Sequence, residues 1–217
     1  MISSRIDEIK KAISSEVTLV AVSKTKPIEM IQQAMQRGHL DFGENKVQEL
    51  VEKHEALPKD INWHMIGHLQ RNKVKYIASF VHLIHGADSE RLINEINKQA
   101  KKNNRKIDCL LQFHIAKENS KFGFNINEVE EILADNKLEV WENINIRGVM
   151  GMATFTENKS QVKEEFLQLK DYFEILSKKI NSDSFNIISM GMSGDYKIAI
   201  DCGSNMVRIG SSIFGNR

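Results

Sequence analysis

The sequence predicts an α/β fold: a (β/α)8 barrel of the TIM type, in one domain spanning 1–217, with an additional N-terminal helix. Three observations lead there. Short apolar runs of strand character alternate with helical periodicities along the whole chain. About eight such βα units fit in roughly 200 residues, the near-minimal length of a barrel. The third is the absence of a low-complexity linker, which with only 2 prolines leaves no domain boundary to place. A doubly wound open sheet shares the alternation and is the runner-up.

The elements follow in order. Ile2, Ile6, Ile9 and Ile13 draw one apolar stripe on the N-terminal helix. The first strand is Thr18 to Ser23. Pro27 opens the next helix, where no N–H is required of it, and Ile28, Ile31, Ala34 and Met35 share a face before Gly38 stops it. "HLDFGEN" supplies the second strand. Further strands are expected at Asn62 to His68, Phe80 to Gly86, Ile107 to Ile115, Ile144 to Met152, Asn186 to Met192 and Met206 to Gly210. Helical patterns fill the gaps at Glu44 to His54, Asn72 to Ser79, Ser89 to Lys102, Asn127 to Asp135 and Lys159 to Ile180, with a short one after Ser193.

Composition narrows the function. A net charge of +1 gives no reason to expect a nucleic-acid or acidic-membrane partner, and the basic stretches "QRNKVK" and "KKNNRK" lack interleaved aromatics, so both read as solvated surface. Cys109 and Cys202 belong to no metal or redox pattern and read as reduced core residues. The charged N-terminus is no signal peptide, and no run approaches the ~18 apolar residues of a membrane span, so a soluble, cytoplasmic protein is expected. His64, His68, His82, His85 and His114 fall at or near strand ends, but HExxH is absent and no carboxylates stand at matching spacing; no metal is expected.

In a (β/α)8 barrel the active site lies where strands run out at their C-terminal ends. The first strand ends in Ser23 and Lys24. The final two end in glycine-bearing loops, "GMSGDY" with Ser193 and "RIGSSIFG" with Gly210, Ser211 and Ser212. Such loops make turns; two at consecutive final strands also suit a phosphate, cradled by backbone N–H groups. A strand-end lysine can snorkel or pair with a carboxylate, or, with its pKa lowered by desolvation or a neighbour such as Lys26, attack a carbonyl. Amine and anion site together suggest a phosphate-bearing aldehyde. Pyridoxal phosphate and the sugars of class I aldolases both qualify.

Seven stretches, "AVSKTKP", "FGENKVQE", "WHMIGHLQRNK", "ENSKFGF", "RGVMGM", "SMGMSGD" and "MVRIGSSIFG", together resemble the pyridoxal phosphate homeostasis proteins (the YggS/PROSC family), in the family's order from Ala21 to Gly215. The resemblance implies an alanine-racemase-like barrel in which pyridoxal phosphate forms its internal aldimine with Lys24. It implies that Arg208 faces the pyridine nitrogen, that Gly210 and Ser211 hold the phosphate, and that Ser193 adds a second contact. Asn45 and His64 are implied to line the pocket, with Met150 or Met152 against the ring. Gly194 stands where the family often has an acid and Ser211 where threonine is common; serine keeps the hydroxyl.

The resemblance favours a cofactor carrier over an enzyme, and no robust catalysis is expected. Racemisation by two bases needs groups on opposite faces of the substrate. The C-terminal β domain that supplies the second base in alanine racemase is expected to be absent, and Tyr76, Tyr172 and Tyr196 offer no evident replacement. An arginine at the pyridine nitrogen leaves the ring a poorer electron sink than an aspartate would. The alternatives are a fold-type III enzyme with weak amino-acid racemase activity and a Schiff-base aldolase. Apo-enzymes that use pyridoxal phosphate are the expected recipients, and the protein is expected to be a monomer.

Overall fold

Alternation along each strand sends one set of side chains into a closed barrel and the other against surrounding helices. The computed structural model describes residues 1–117, 122–135 and 137–215. Its eight parallel strands are β1 (Thr18–Val22), β2 (Asp41–Glu44), β3 (Asn62–Met65), β4 (Leu83–Ala87), β5 (Ile107–Gln112), β6 (Ile144–Met150), β7 (Ile187–Ser189) and β8 (Met206–Ile209), neighbours in chain order. β8 pairs back onto β1 from Thr18 opposite Met206 to Ala21 opposite Ile209. That closure removes the sheet edges and rules out the open-sheet alternative.

The helices are α1 (Ile2–Ala12), α2 (Ile28–Met35), α3 (Val47–Ala56), α4 (Glu90–Lys102), α5 (Ile126–Ala134), α6 (Lys137–Val140), α7 (Lys159–Ile180), α8 (Tyr196–Asp201) and α9 (Ser211–Phe214), with a 3-10 helix at Arg71–Tyr76. α1 packs by Ile2, Ile6 and Ile9, and Arg5 Nη1 donates to the carbonyl of Ile213 at 3.1 Å, joining the N-terminal helix to α9. Among the described residues, no helix is long and apolar enough to cross a membrane.

Two apolar layers result. Leu19, Ala21, Phe42, Trp63, Ile84, Val149 and Val207 face the helices, where they join Ile31, Leu50, Ile93 and Phe166 in the main core. Val20, Leu83, Leu110, Met150 and Met206 form a separate cluster inside the barrel. Burying a Leu or Ile side chain in either layer contributes about 1.5–3 kcal/mol.

Several boundaries differ from the sequence expectation. β3 stops at Met65, not His68, because the chain turns tightly at Gly67, where a Cβ would lie 2.4 Å from the carbonyl oxygen of Asn45. β4 begins at Leu83: Phe80 instead stacks on His54 of α3, ring centroids 3.7 Å apart, covering the outside of the barrel. Glu44 ends β2 rather than opening a helix, and α3 begins at Val47. The Asn72–Ser79 pattern winds as the tighter 3-10 helix, with Val74 its buried side chain. Cys109 and Cys202 are free thiols in the core, and burial raises the pKa of both.

Candidate functional site

The inward phase of each strand climbs from the barrel interior into a cavity at its C-terminal mouth. On β1, Val20 is interior, Val22 lines the cavity, and Lys24 follows two residues later. Gly43 leads in the same way to Asn45, Met150 to Met152, and Arg208 to Gly210. The cavity has a volume of about 520 Å3. Lys24, Asn45, Ser193, Arg208, Gly210 and Ser211, all expected from the sequence, line it together.

His64 does not line it. Its phase is as expected, but Ile66 takes the wall and His64 lies one layer deeper, 1% exposed, bonded to His85 and Asp41. Between the two methionines, Met152 lines the cavity and Met150 belongs to the interior cluster. In "ENSKFGF", residues 118–121 lie outside the described residues. Phe122 stacks on His68, centroids 3.9 Å apart, and both reach the cavity.

The Lys24 side chain is half-buried, and no hydrogen bond or ion pair engages its amine among the described residues. Its backbone is held on both sides. The Lys53 ammonium donates to the Ser23 carbonyl at 2.7 Å, while Glu49 Oε1 accepts the Thr25 N–H at 2.5 Å. Thr25 has φ +62°, a left-handed conformation costly for a β-branched residue and retained here under that clamp. Lys26 points elsewhere, donating to the Gly215 carbonyl at 2.9 Å.

Across the mouth, the Gly210 and Ser212 amides converge on the Ser193 hydroxyl oxygen at 3.2 and 3.5 Å. The turn before Ser193 depends on Gly191 at φ +96°, where a Cβ would sit 2.6 Å from that of Ala199. Asp195 ties the same loop down, Oδ1 accepting the Met192 N–H at 2.5 Å. This is a set of donors around a position that suits an anion.

Arg208 forms the floor of the cavity, 3% exposed. Its Nη1 donates to Ser189 Oγ at 2.6 Å and its Nη2 to the Gly151 carbonyl at 3.0 Å. Burial pushes its pKa down to about 10, with Asp195 opposing. A buried guanidinium bonded to a hydroxyl and a carbonyl, with no carboxylate in contact among the described residues, suits a ligand that brings an acceptor.

Val22, Ile66, Gln112 and Asp195 also line the cavity and were not singled out from sequence; for the first three, their in-phase positions at strand ends were the available signal. Phe155, 97% exposed, and Met192 form an apolar rim. A neighbouring groove of about 560 Å3 beside α3 shares Asn45 and His68 but has neither the strand-end amine nor the glycine loops.

Fold and site together define a ligand-binding (β/α)8 barrel of the alanine racemase N-terminal type. The family model described as alanine racemase, N-terminal domain, matches residues 1–217. A pyridoxal phosphate homeostasis protein of Pasteurella multocida (strain Pm70) is 37% identical over 210 residues, 95% of this chain and 89% of that protein. One of Aquifex aeolicus (strain VF5) is 38% identical over 200 residues, 92% of this chain and 86% of that protein. Among solved structures, PipY of Synechococcus elongatus PCC7942, with PLP bound, superposes at a TM-score of 0.90 with 29% identity, covering 99% of this chain and 100% of that one. The chain belongs to the alanine racemase N-terminal domain family and, within it, to the pyridoxal phosphate homeostasis proteins.

Proposed function

We propose that this chain binds pyridoxal phosphate at the barrel mouth, holds it reversibly through an imine to Lys24, and serves as a buffer or carrier for enzymes that use the cofactor. The observation that carries this reading is the Lys24 amine, without an ion pair among the described residues, sharing one cavity with the Ser193–Gly210–Ser212 donor set. PipY, solved with PLP bound, supports the same choice of ligand.

The residues present fit the group. When bound, pyridoxal phosphate supplies an aldehyde that condenses reversibly with a primary amine and a ring that can withdraw electrons. Lys24 would supply that amine. The Gly210 and Ser212 amides and the Ser193 and Ser211 hydroxyls would hold the phosphate. Arg208 would donate to the ring nitrogen, and a donor there, in place of a carboxylate, leaves the ring a weaker electron sink. Asn45 and Met152 would complete the wall. Retention without strong catalysis is the expected outcome.

The test is direct. Borohydride treatment of protein loaded with pyridoxal phosphate should fix the cofactor covalently on the Lys24 peptide, read by mass spectrometry. Loaded protein should then activate an apo-enzyme, and robust turnover of single amino-acid enantiomers would overturn the carrier reading.

A further inference from the structure

Inward-facing polar side chains of five strands touch in series through the barrel. Asp41 Oδ1 lies 3.2 Å from His64 Nε2, and His64 Nδ1 lies 3.0 Å from His85 Nε2. His85 Nδ1 lies 3.0 Å from Ser189 Oγ, which accepts from Arg208 Nη1 at 2.6 Å. Asp41 begins β2, so its carboxylate, 29% exposed, marks the barrel floor, opposite the cavity that Arg208 lines. Among the described residues no three His, Cys, Asp or Glu side chains are grouped as a metal site.

For neutral rings the carboxylate end fixes the protons. Asp41 only accepts, so His64 carries hydrogen on Nε2 and its bare Nδ1 accepts. His85 then carries hydrogen on Nε2 and donates to His64, and its bare Nδ1 accepts the Ser189 hydroxyl hydrogen. Arginine only donates, so Ser189 Oγ accepts from Arg208 as well.

Charged and titratable groups surround the relay. His85 is fully buried, and burial, then His64, Arg208 and His82, hold its pKa well below the usual histidine value. His82 flanks His64 with ring centroids 5.3 Å apart, and Asp108 and Arg105 act on His82 in turn. Asp41 is held below the usual carboxylate range: burial works the other way, but the His64 hydrogen bond, then the charge of His64, then the Asn62 hydrogen bond outweigh it, and His39 adds to them. Asp195 is the anion acting on Arg208.

We propose that Asp41, His64, His85 and Ser189 are positioning residues: a one-way hydrogen-bond relay that fixes the orientation in which Arg208 faces the cavity, a role resting on the reading that Arg208 contacts bound pyridoxal phosphate. The relay explains why an apolar barrel interior carries two histidines that do not line the mouth cavity. It makes the floor carboxylate part of the binding apparatus at the opposite end.

Two readouts test this on the full chain. In cofactor-free protein, long-range nitrogen–proton NMR should show His64 and His85 as Nε2–H tautomers, with His85 not titrating across about pH 6.5; an Nδ1–H tautomer at either ring overturns the relay. With pyridoxal phosphate as the probe, Ser189→Ala and His85→Leu should each weaken binding about tenfold and shift the absorption of the bound cofactor, with the circular dichroism spectrum unchanged. His82→Gln, beside the relay but outside it, should change neither. Ser189→Ala added to Arg208→Gln should cause no further loss; additive losses would refute action through Arg208. Should His85→Leu fail to fold, Ser189→Ala decides alone. Wild-type protein that binds no pyridoxal phosphate would refute the functional reading, and the relay would still be decided by the Arg208 side-chain N–H signals, resolved in wild type and lost in Ser189→Ala.

Discussion

Lys24 and Lys53 stand on the same side of the barrel in opposite circumstances. The Lys53 ammonium, on a side chain 6% exposed, donates at 2.7 Å to each of three oxygens: the Ser23 carbonyl, Glu44 Oε1 and Glu49 Oε1. Lys24 has no such partner among the described residues and faces a cavity. An ammonium with all three hydrogens engaged is committed to holding the fold. An amine without such partners is available to a ligand. The pairing of one lysine also presents the other, because Lys53 and Glu49 grip the residues on either side of Lys24.

The sharpest way to break this comparison is to exchange the losses. Lys24→Ala should abolish the borohydride-fixed adduct entirely while thermal stability stays within about 0.5 kcal/mol of wild type. Lys53→Met should do the reverse to stability, costing about 3–5 kcal/mol in urea denaturation, because it strands the buried Glu44 carboxylate. Burial already raises the Glu44 pKa against the opposing pull of Lys53, and its Oε2 has no hydrogen-bond partner among the described residues. Lys53→Met combined with Glu44→Gln should recover most of that loss.

A third case is a buried group kept neutral. His39, 2% exposed, has its pKa lowered to about 4, by burial first and then by Lys10. The unfolded chain therefore takes up a proton that the folded one refuses. Stability should fall by about 3 kcal/mol as pH drops from about 6.5 to about 4, and His39→Gln should flatten that part of the urea-midpoint profile. The smallest effect belongs to Thr25→Gly. Removing the β-carbon at φ +62° relieves strain but gives the unfolded chain more freedom, so the net change in stability should be under about 1 kcal/mol.

Much of this was legible in the sequence because barrels are repetitive. Strand ends alone put Lys24, Ser193 and Gly210 at the mouth, whereas Asn45 and Arg208 came from the family resemblance; period-two alternation reports phase and suits both. Depth is another matter. His64 and Ile66 share a phase, and nothing in a one-dimensional pattern says which layer the cavity floor reaches. The same blindness hid His85 and Ser189, which meet across the barrel from β4 and β7. Lys53 did leave a trace: it interrupts the buried face of α3 begun by Leu50, which signals a buried charge with a partner somewhere. Phe80 misled because an apolar residue next to a strand can as well cover a helix as extend the ladder.

The Ser193 hydroxyl has a consequence for the two loops it joins. Its oxygen already accepts from the amides that would clasp a phosphate, through contacts long enough to be surrendered easily. The two amides are thus satisfied within the chain itself, and one hydroxyl ties the loop after β7 to the start of α9.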